Sequence, residues 1–392
     1  MPMTFDTYNK CSYNCLYCFS YFQRSLKKEN YQTESLCSVD IERIKKMFTM
    51  SMGSPSEFYS MIKTKVPLQW GGLSDQFDEY ERQNGVTLKL MKFFKEIDYP
   101  ICFSTKATWV FDDPRYTSLI EGQKNWNFKI SIINLDAELS KKVEKGVDGP
   151  QKRLQALKKI TELNCGGATL RLRPFIMGMS DKDYLQLIQE AINNSATAVS
   201  TEFLCIEGRA DARLKARYGE MSHALGIDIL DYYQKLSQAK SGYMRLSREL
   251  KLNYFYKMKE LCDKNNIRFY VSDAHGKELC HNGSCCGLNK EWGYSRGQIT
   301  EALLMAKENG EVYFSDIEKN IEYMKTIKLN NPMNLGGAEG QAKFKGWSVH
   351  DYFKYLWNSP NEKRSPYKYF GGVLKPTGLD KENNVIYSFQ KR

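Results

Sequence analysis

The sequence predicts an α/β fold in which helices surround a parallel sheet. Short apolar segments alternate with longer amphipathic ones from about residue 60 to residue 275, and 392 residues leave room for a second, smaller domain. Apolar residues make up 42% of the chain and charged residues 26%, which is ordinary globular usage and excludes fibrous and disordered proteins. We therefore expect a (β/α) domain over residues 1–273 and a small, α-rich, cysteine-containing domain over residues 274–392.

About seven strands are expected, each a short apolar segment bounded by turn-forming residues. They are residues 66–70, 100–104, 128–133, 168–173, 199–204 and 267–271, with a short first strand near residues 4–8.

Amphipathic helices are expected between the strands, because apolar residues recur there at three- and four-residue spacing. A helical block over about 209–265 interrupts the alternation and is interpreted as an insertion or a lid. The other expected helices are 86–97, 151–163, 183–193 with Asp181 as its N-cap, 295–309 and 348–358.

The composition favours a protein without a membrane anchor. No stretch approaches eighteen uncharged apolar residues, and the first residues lack the basic and apolar regions of a signal peptide. We therefore expect a cytoplasmic protein with no membrane contact. The net charge of +11 suits a phosphate backbone or an acidic partner, and it suits a solvated lysine surface equally well.

Cysteine usage points to metal or redox chemistry, since 11 cysteines are too few for a disulfide scaffold and odd in number. Cys11, Cys15 and Cys18 form a CxxxCxxC pattern directly after the first expected strand. Three thiolates at this spacing can hold a [4Fe-4S] cluster that leaves one iron without a protein ligand. A zinc knuckle or a chance grouping is the alternative, but zinc needs four ligands and the nearest histidine along the chain is His223.

Five further cysteines are scattered along the chain and are expected to pack as small apolar residues. They are Cys37, Cys102, Cys165, Cys205 and Cys262.

The triplet, with the aromatic Tyr17 before its last cysteine, resembles the defining motif of the radical S-adenosylmethionine (SAM) superfamily. The resemblance implies that Cys11, Cys15 and Cys18 hold a [4Fe-4S] cluster and that SAM chelates the open iron. It also implies a partial (β/α) barrel of the radical SAM type and an electron donor such as flavodoxin or ferredoxin. Reductive cleavage of SAM would then release a 5′-deoxyadenosyl radical that abstracts hydrogen from a substrate.

Residues suited to a cofactor follow the expected strands, where a parallel barrel places its chemistry. Glycines after the second strand let the backbone approach a ligand, and hydroxyl, carboxylate and cationic side chains offer partners for the ribose, ammonium and carboxylate of SAM. The candidate SAM-binding residues are Tyr17, Gly71, Gly72, Ser74, Asp75, Lys106, Ser131 and Arg173.

A narrower resemblance is to the spore photoproduct lyase-like branch, whose members are often labelled DNA repair photolyases. It covers roughly residues 5–180, and it implies that Glu144 and Arg153 help to shape the barrel mouth. Gln76 and Lys145 replace prolines of the branch, and residues 66–80 lack the hydrogen-donating cysteine of the lyase, so thymine-dimer reversal is not implied. The matching segments are Trp70–Phe77, Ser104–Lys106, Ser131–Asn134, Glu144–Val147, Pro150 and Arg153-Leu154.

A second cysteine group, Cys280, Cys285 and Cys286, follows the last expected strand, and its members are candidate catalytic residues. Three interpretations stay open: a thiol that donates hydrogen to a substrate radical, a glycine-rich turn with buried thiols, and an auxiliary iron-sulfur or metal site that also uses a histidine. The third is the weakest, because the side chains of adjacent cysteines diverge.

Basic and aromatic residues are interleaved in the helical block, as in a groove for DNA or RNA. The alternative is a pair of amphipathic helices with packed tyrosines and solvated lysines. The residues are Arg209, Arg213, Lys215, Arg217, Lys240, Arg245, Arg248, Lys251 and Lys257, with Tyr218, Tyr232, Tyr233, Tyr243, Tyr254 and Tyr256.

A nucleic acid or nucleotide, modified or repaired, is therefore the expected substrate. A peptide or a small metabolite is the alternative substrate. A non-catalytic, zinc-containing nucleic-acid-binding protein is the alternative of another class.

Overall fold

The computed structural model describes residues 3–21, 34–49, 61–63, 65–208, 212–237, 243–282, 299–321 and 342–391. The chain forms two compact units. The first comprises Met1–Met50, Lys65–Ser272 and Ser284–Trp292, and the second comprises Ser51–Thr64, Asp273–Gly283 and Gly293–Arg392.

The first unit is built on one parallel sheet of seven strands, which confirms the expected α/β partial barrel. The sheet order is β1-β3-β4-β5-β7-β8-β11, so neighbouring strands follow one another along the chain. In chain order, the strands of the described residues are β1 Met3–Phe5, β2 Asn14–Cys15, β3 Leu68–Trp70, β4 Ile101–Thr105, β5 Trp126–Ser131, β6 Glu144–Lys145, β7 Gly167–Phe175, β8 Ala198–Phe203, β9 Ile206–Glu207, β10 Tyr243–Met244, β11 Arg268–Val271, β12 Glu311–Val312, β13 Leu374–Leu379 and β14 Val385–Phe389.

Helices alternate with these strands, and several begin at residues suited to a helix start. Asp113 and Asp136 accept hydrogen bonds from the first-turn amides as N-caps, and Pro114 and Pro150 occupy the first helical position. The α-helices of the described residues are Ile41–Thr49, Glu79–Asn84, Val86–Glu96, Pro114–Ile120, Ala137–Val143, Pro150–Glu162, Tyr184–Asn193, Ala212–Leu225, Ile229–Leu236, Arg248–Lys264, Ile299–Asn309, Phe314–Ile321, Val349–Trp357 and Pro366–Tyr369. In these segments no helix is long and apolar enough to cross a bilayer.

The expected N-cap Asp181 is wrong. The helix Tyr184–Asn193 begins after Asp183, which makes no side-chain cap bond. The carboxylate of Asp181 instead accepts a hydrogen bond from the amide of Gly178 at 2.6 Å, and a short 3₁₀ turn separates it from the helix.

The two faces of the sheet differ in chemistry because successive side chains of a strand point to opposite sides. On the outer face, the rings of Trp70 and Phe128 stack on Phe103 at centroid distances of 5.4 and 4.5 Å. On the inner face, Gln69 bonds to both Ser104 and Lys129. Aromatic burial on the outer face stabilises the barrel, at roughly 1.5–3 kcal/mol per side chain, and leaves the inner face free to be polar.

The described residues of the helical block form three helices, and its strand β10 pairs with the preceding β9 in an antiparallel sheet of two strands. Tyr218 and Tyr233 are buried, and the hydroxyl of Tyr233 donates to the carbonyl of Leu204 at 2.7 Å. These two tyrosines are therefore packed and cannot stack on bases. Part of the basic and aromatic pattern, including Arg209 and Lys240, lies outside the described residues.

The second unit contains an antiparallel sheet, in the order β12-β14-β13, as well as the expected helices. Trp357 donates from its indole to the carbonyl of Val385 at 2.5 Å and packs on Tyr387. The sheet was not anticipated, because Pro376 and Gly378 interrupt the apolar alternation of β13 and shift its register.

Candidate functional site

The cysteine triplet lies on a loop that is fastened to the segment 143–145. Strand β2 pairs with β6 so that Cys15 lies opposite Glu144. The amide of Leu16 donates to the carbonyl of Val143 at 2.9 Å, and the amide of Cys18 donates to the carbonyl of Cys15 at 3.1 Å. The loop conformation is thus fixed by backbone hydrogen bonds on both sides of Cys15.

The three thiols of this loop are free, with Cys15 buried and Cys11 and Cys18 partly exposed. Burial raises the pKa of the Cys15 thiol to about 12, although the charge of Lys106 opposes the shift. Burial also raises the pKa of Cys11, and the nearby carboxylates of Asp78 and Asp75 add to the effect. Both thiols are therefore protonated in the metal-free chain at neutral pH. Among the described residues, no three His, Cys, Asp or Glu side chains are grouped closely enough to hold a single metal ion.

Asp78 anchors the start of the loop. Its Oδ2 accepts from the amide of Ser12 at 2.6 Å, and its Oδ1 accepts from the amide of Tyr80 at 3.0 Å, so it also caps the helix Glu79–Asn84. Asp78 is buried, and burial raises its pKa to about 7. One carboxylate thus ties the residue after Cys11 to a helix start.

The segment 71–75 lies beside the loop, and its polar residues are committed to local hydrogen bonds. Asp6 accepts from the amides of Leu73 and Ser74, and the hydroxyl of Ser74 donates to the carbonyl of Tyr8 at 3.0 Å. Asp75 accepts from the hydroxyl of Thr105 at 2.7 Å and from the amide of Lys106 at 2.7 Å. The candidates Ser74 and Asp75 therefore hold the shape of this segment.

Gly71 and Gly72 differ in what their backbone requires. Gly71 has φ +83°, and a methyl group at its Cα would lie 2.5 Å from the carbonyl oxygen of Ser104 and 2.3 Å from Oε1 of the buried Gln76. A methyl group at Gly72 would lie 3.6 Å from its nearest neighbours, which is ordinary contact. Only Gly71 is needed for the chain to fold this way.

A buried ion pair connects the loop to the sheet. Arg153 donates to Glu144 Oε2 at 2.7 Å and to the carbonyl of Ser131 at 2.6 Å, and both charged side chains are fully buried. Tyr17 donates to Glu144 Oε1. Burial alone would raise the pKa of Glu144, but Arg153 and Lys106 outweigh it and hold that pKa below its ordinary value.

Lys106 lies over the ring of Tyr17, with 5.7 Å between its Nζ and the ring centroid. Burial alone would lower the pKa of this ammonium, but electrostatic attraction to Cys15, once it is a thiolate, and to Glu144 outweighs burial, and the net shift is upward. The structure thus brings the candidates Tyr17 and Lys106 together with Cys15, and Lys106 stays a cation there at neutral pH.

The candidate Ser131 is the last residue of β5, and the candidate Arg173 lies two residues before the end of β7. The hydroxyl of Ser131 accepts from Nη1 of Arg171 at 3.1 Å, and Arg173 forms an ion pair of 2.5 Å with Glu202. Both candidates are therefore next to a further charged side chain of the sheet.

Arg217, from the helix Ala212–Leu225, is a site residue that sequence reasoning assigned elsewhere. It donates to the carbonyl of Cys15 at 2.6 Å and to the side chain of Asn14 at 2.8 Å, and it lies 4.4 Å from the ring centroid of Tyr21. By sequence it is one of the interleaved basic and aromatic residues of the helical block, for which a nucleic-acid groove and a pair of solvated amphipathic helices are the two interpretations. No local pattern marks it, because its partners are about two hundred residues earlier in the chain.

In the second unit, Cys280 is 2% exposed and directly follows the 3₁₀ turn Ala274–Leu279. Its amide donates to the carbonyl of Lys277 at 3.1 Å. Cys285 and Cys286 lie outside the described residues, so the role of this group as catalytic thiols stays a prediction.

Comparison with known proteins relates this architecture to the radical SAM barrel. A spore photoproduct lyase variant with bound AdoMet and dinucleoside spore photoproduct has a TM-score of 0.50 and 16% sequence identity, covering 68% of this chain and 74% of that chain. A spore photoproduct lyase complexed with dinucleoside spore photoproduct has a TM-score of 0.48 and 17% identity over the same shares. SuiB of Streptococcus suis bound to S-adenosylmethionine has a TM-score of 0.44 and 12% identity, covering 71% of this chain and 52% of that chain.

No protein-family model and no curated protein matches the sequence. The class of fold is nevertheless defined: the first unit has the partial (β/α) barrel of the radical SAM type. Within that class, the similarity is to spore photoproduct lyase, and at this identity it is a similarity of fold.

Proposed function

We propose that this protein is a radical SAM enzyme. The observation that carries the proposal is the placement of three free thiols on one fastened loop beside the carboxyl ends of the barrel strands. The donor set is chemically suited to iron and sulfide, since thiolates are soft ligands. A cluster of four irons is wider than one ion, so its thiolates need not be as close together as the ligands of a single metal.

Cys11, Cys15 and Cys18 would hold the cluster. When bound, a [4Fe-4S] cluster with one open iron supplies the electron that cleaves SAM to a 5′-deoxyadenosyl radical. Thiol ligation requires deprotonation, and the Lys106 cation beside Cys15 stabilises the thiolate. The chain's contribution at this centre is therefore to hold three thiolates at a fixed spacing near a positive charge.

The residues around the loop would position SAM. Lys106 carries a charge suited to the SAM carboxylate, and Tyr17 offers a ring that the Glu144–Arg153 pair holds in place. Gly72 would let SAM approach the backbone closely. The fold itself does not require a glycine at this position, since a methyl group would fit there. A buried setting would also keep water from a reactive radical.

A nucleic acid or nucleotide is our first substrate class. It is supported by the net charge of +11 and by the fold similarity to an enzyme that binds a dinucleoside. A peptide or small metabolite is the second class, and it is supported by the burial of Tyr218 and Tyr233 and the use of Arg217 at the cysteine loop. Flavodoxin or ferredoxin would supply the electron to the cluster. A thiol of the Cys280 group would donate a hydrogen atom to the substrate radical.

Anaerobic purification tests the cluster. The wild-type protein should be brown, contain about four irons and four sulfides, and bleach on reduction. Cys15→Ala should lose the colour, whereas Cys37→Ala, which changes an exposed thiol outside the loop, should keep it. A colourless protein with stoichiometric zinc would overturn the proposal.

Turnover tests the reaction and the substrate class. The reduced protein should form 5′-deoxyadenosine from SAM, and formation should accelerate with the correct substrate among DNA, RNA, nucleotide and peptide pools. Acceleration by peptides alone would replace the first substrate class by the second.

A further inference from the structure

A buried lysine, Lys129, lies on the barrel's inner face, two residues before the cofactor candidate Ser131 on β5. Lys129 of β5 is 3% exposed, and its Nζ lies 2.5 Å from Oε1 of Gln69. The amide nitrogen of Gln69 is itself held by the carbonyl of Trp70 at 2.9 Å and by the hydroxyl of Ser104 at 3.0 Å. Gln69 is therefore fixed with its oxygen toward the lysine, and it binds the ammonium through one of three donors.

Lys129 differs from Arg153, another buried cation of the first unit, in its partner. Arg153 has a carboxylate, Glu144, at 2.7 Å. Within the part of the chain that the structure describes, no carboxylate lies within 4.0 Å of the Lys129 ammonium, and its hydrogen-bonded neighbour is a neutral amide. Burying a cation without a countercharge is costly, so a fold gains nothing in stability from this arrangement.

The neighbouring strand adds positive charge on the same face. The register pairs Lys129 with Thr169 and Ser131 with Arg171, so Arg171 lies on the adjacent strand, one inward-facing position nearer the strand ends. Its bond to the hydroxyl of Ser131 directs the guanidinium across the inner face. Glu202, a carboxylate on this face, is paired with Arg173.

We propose that Lys129 and Arg171 bind an oxyanionic group of the substrate, a phosphate or a carboxylate, inside the barrel. The proposal rests on the proposed function for the reaction and adds the chemistry by which the substrate is recognised. A lysine supplies a point charge and an arginine a planar fork, which together suit a group with two or three oxygens. The anion supplies the countercharge that the described residues do not place at Lys129.

Binding to the full-length protein tests the proposal. Inorganic phosphate and succinate are the probes, measured by thermal unfolding and by calorimetry on wild type and on Lys129→Met. Lys158→Met is the matched control, because Lys158 is an exposed lysine on the helix Pro150–Glu162. At least one probe should raise the melting temperature of wild type and of the control, because a ligand that binds only the native state stabilises it.

Lys129→Met should bind that probe at least tenfold more weakly and, without the probe, should melt at the same temperature as wild type or higher. Phosphate alone would identify a phosphorylated substrate, and succinate alone a carboxylic acid. The proposal is overturned if neither probe binds, or if Lys129→Met keeps the wild-type response. It is also overturned if Lys129→Met melts much lower while Arg171→Gln, as a second variant, binds both probes normally.

The outcome is independent of the iron centre. The measurement uses protein without added iron or SAM, so a negative result here leaves the brown colour and the cleavage of SAM untouched. Conversely, if the protein is colourless but still binds phosphate through Lys129, the proposed radical SAM reaction is wrong and the anion-binding site stands.

Discussion

Two regions of the barrel bury charge in different ways. At the cysteine loop, Glu144 is met by Arg153 and Tyr17, and Asp78 is met by two backbone amides. On the inner face, the ammonium of Lys129 is met by an amide oxygen. Compensated charges hold a loop in shape, whereas a buried cation that has no countercharge among the described residues is suited to binding an anion. Substitutions at the two regions test this difference.

The largest effect is expected at the loop. Glu144→Gln leaves the buried Arg153 without its countercharge, and we expect a loss of about 3–5 kcal/mol in the free energy of unfolding. The measurement is urea unfolding of the cluster-free protein. The double variant Glu144→Gln with Arg153→Met should recover most of the loss, and if it is as unstable as the single variant, the ion pair is not the cause.

The same pair predicts a pH dependence. Because the pKa of Glu144 is lowered in the folded protein, its contribution is present above the ordinary value of 4.5 and is lost as the pH falls through the folded-state value. The difference in free energy of unfolding between wild type and Glu144→Gln should therefore narrow as the pH falls from 4.5 toward the folded-state pKa of Glu144. A gap that stays constant down to about pH 3 would contradict this origin.

Substitutions at Gly71 and Gly72 distinguish a glycine needed for folding from one needed for cofactor binding. Gly71→Ala places a methyl group against a backbone carbonyl at positive φ, and we expect it to cost roughly 2–3 kcal/mol. Gly72→Ala should cost less than about 1 kcal/mol yet weaken SAM binding, measured by calorimetry on the reconstituted protein. Normal SAM binding by Gly72→Ala would remove this glycine from the cofactor site.

A smaller effect is expected at Arg217, which is partly exposed. Arg217→Met removes two hydrogen bonds to the cysteine loop, so a chelator should strip iron from the reconstituted protein several-fold faster. Its effect on global stability should be near 1 kcal/mol. An unchanged rate of iron loss would show that the loop does not depend on this helix.

The smallest effect on the iron centre is expected at a helix start outside both regions. Asp113→Ala removes the N-cap of the helix Pro114–Ile120 and should cost about 1 kcal/mol. Iron content and SAM binding should not change. A change in either would mean that the outer helices affect the cysteine loop.

Much of the barrel could be predicted from sequence because its signals are local. All seven strands of the parallel sheet overlap the expected segments, since each is a buried apolar run between turn residues. The cysteine spacing and the residues after the strands were also readable, because they are near one another along the chain.

Contacts between residues that are far apart in sequence could not be predicted from local patterns. Arg217 looked like one of many surface cations until its bond to Cys15 was seen. Lys129 lies between Phe128 and Ile130 and was counted as part of a strand, because a sequence does not show whether a buried lysine has a countercharge. The sheet of the second unit was missed because proline and glycine mask its alternation.

The supports of the cysteine loop have a consequence for biogenesis. The thiols leave the ribosome before the residues that arrange them, because the strand that pairs with their loop ends at residue 145 and the guanidinium that bonds to Cys15 belongs to residue 217. A growing chain therefore exposes its cysteines well before it has the parts that arrange them. We expect iron delivery to follow completion of the barrel, so that shielding of nascent thiols from oxidation becomes a separate requirement in the cell.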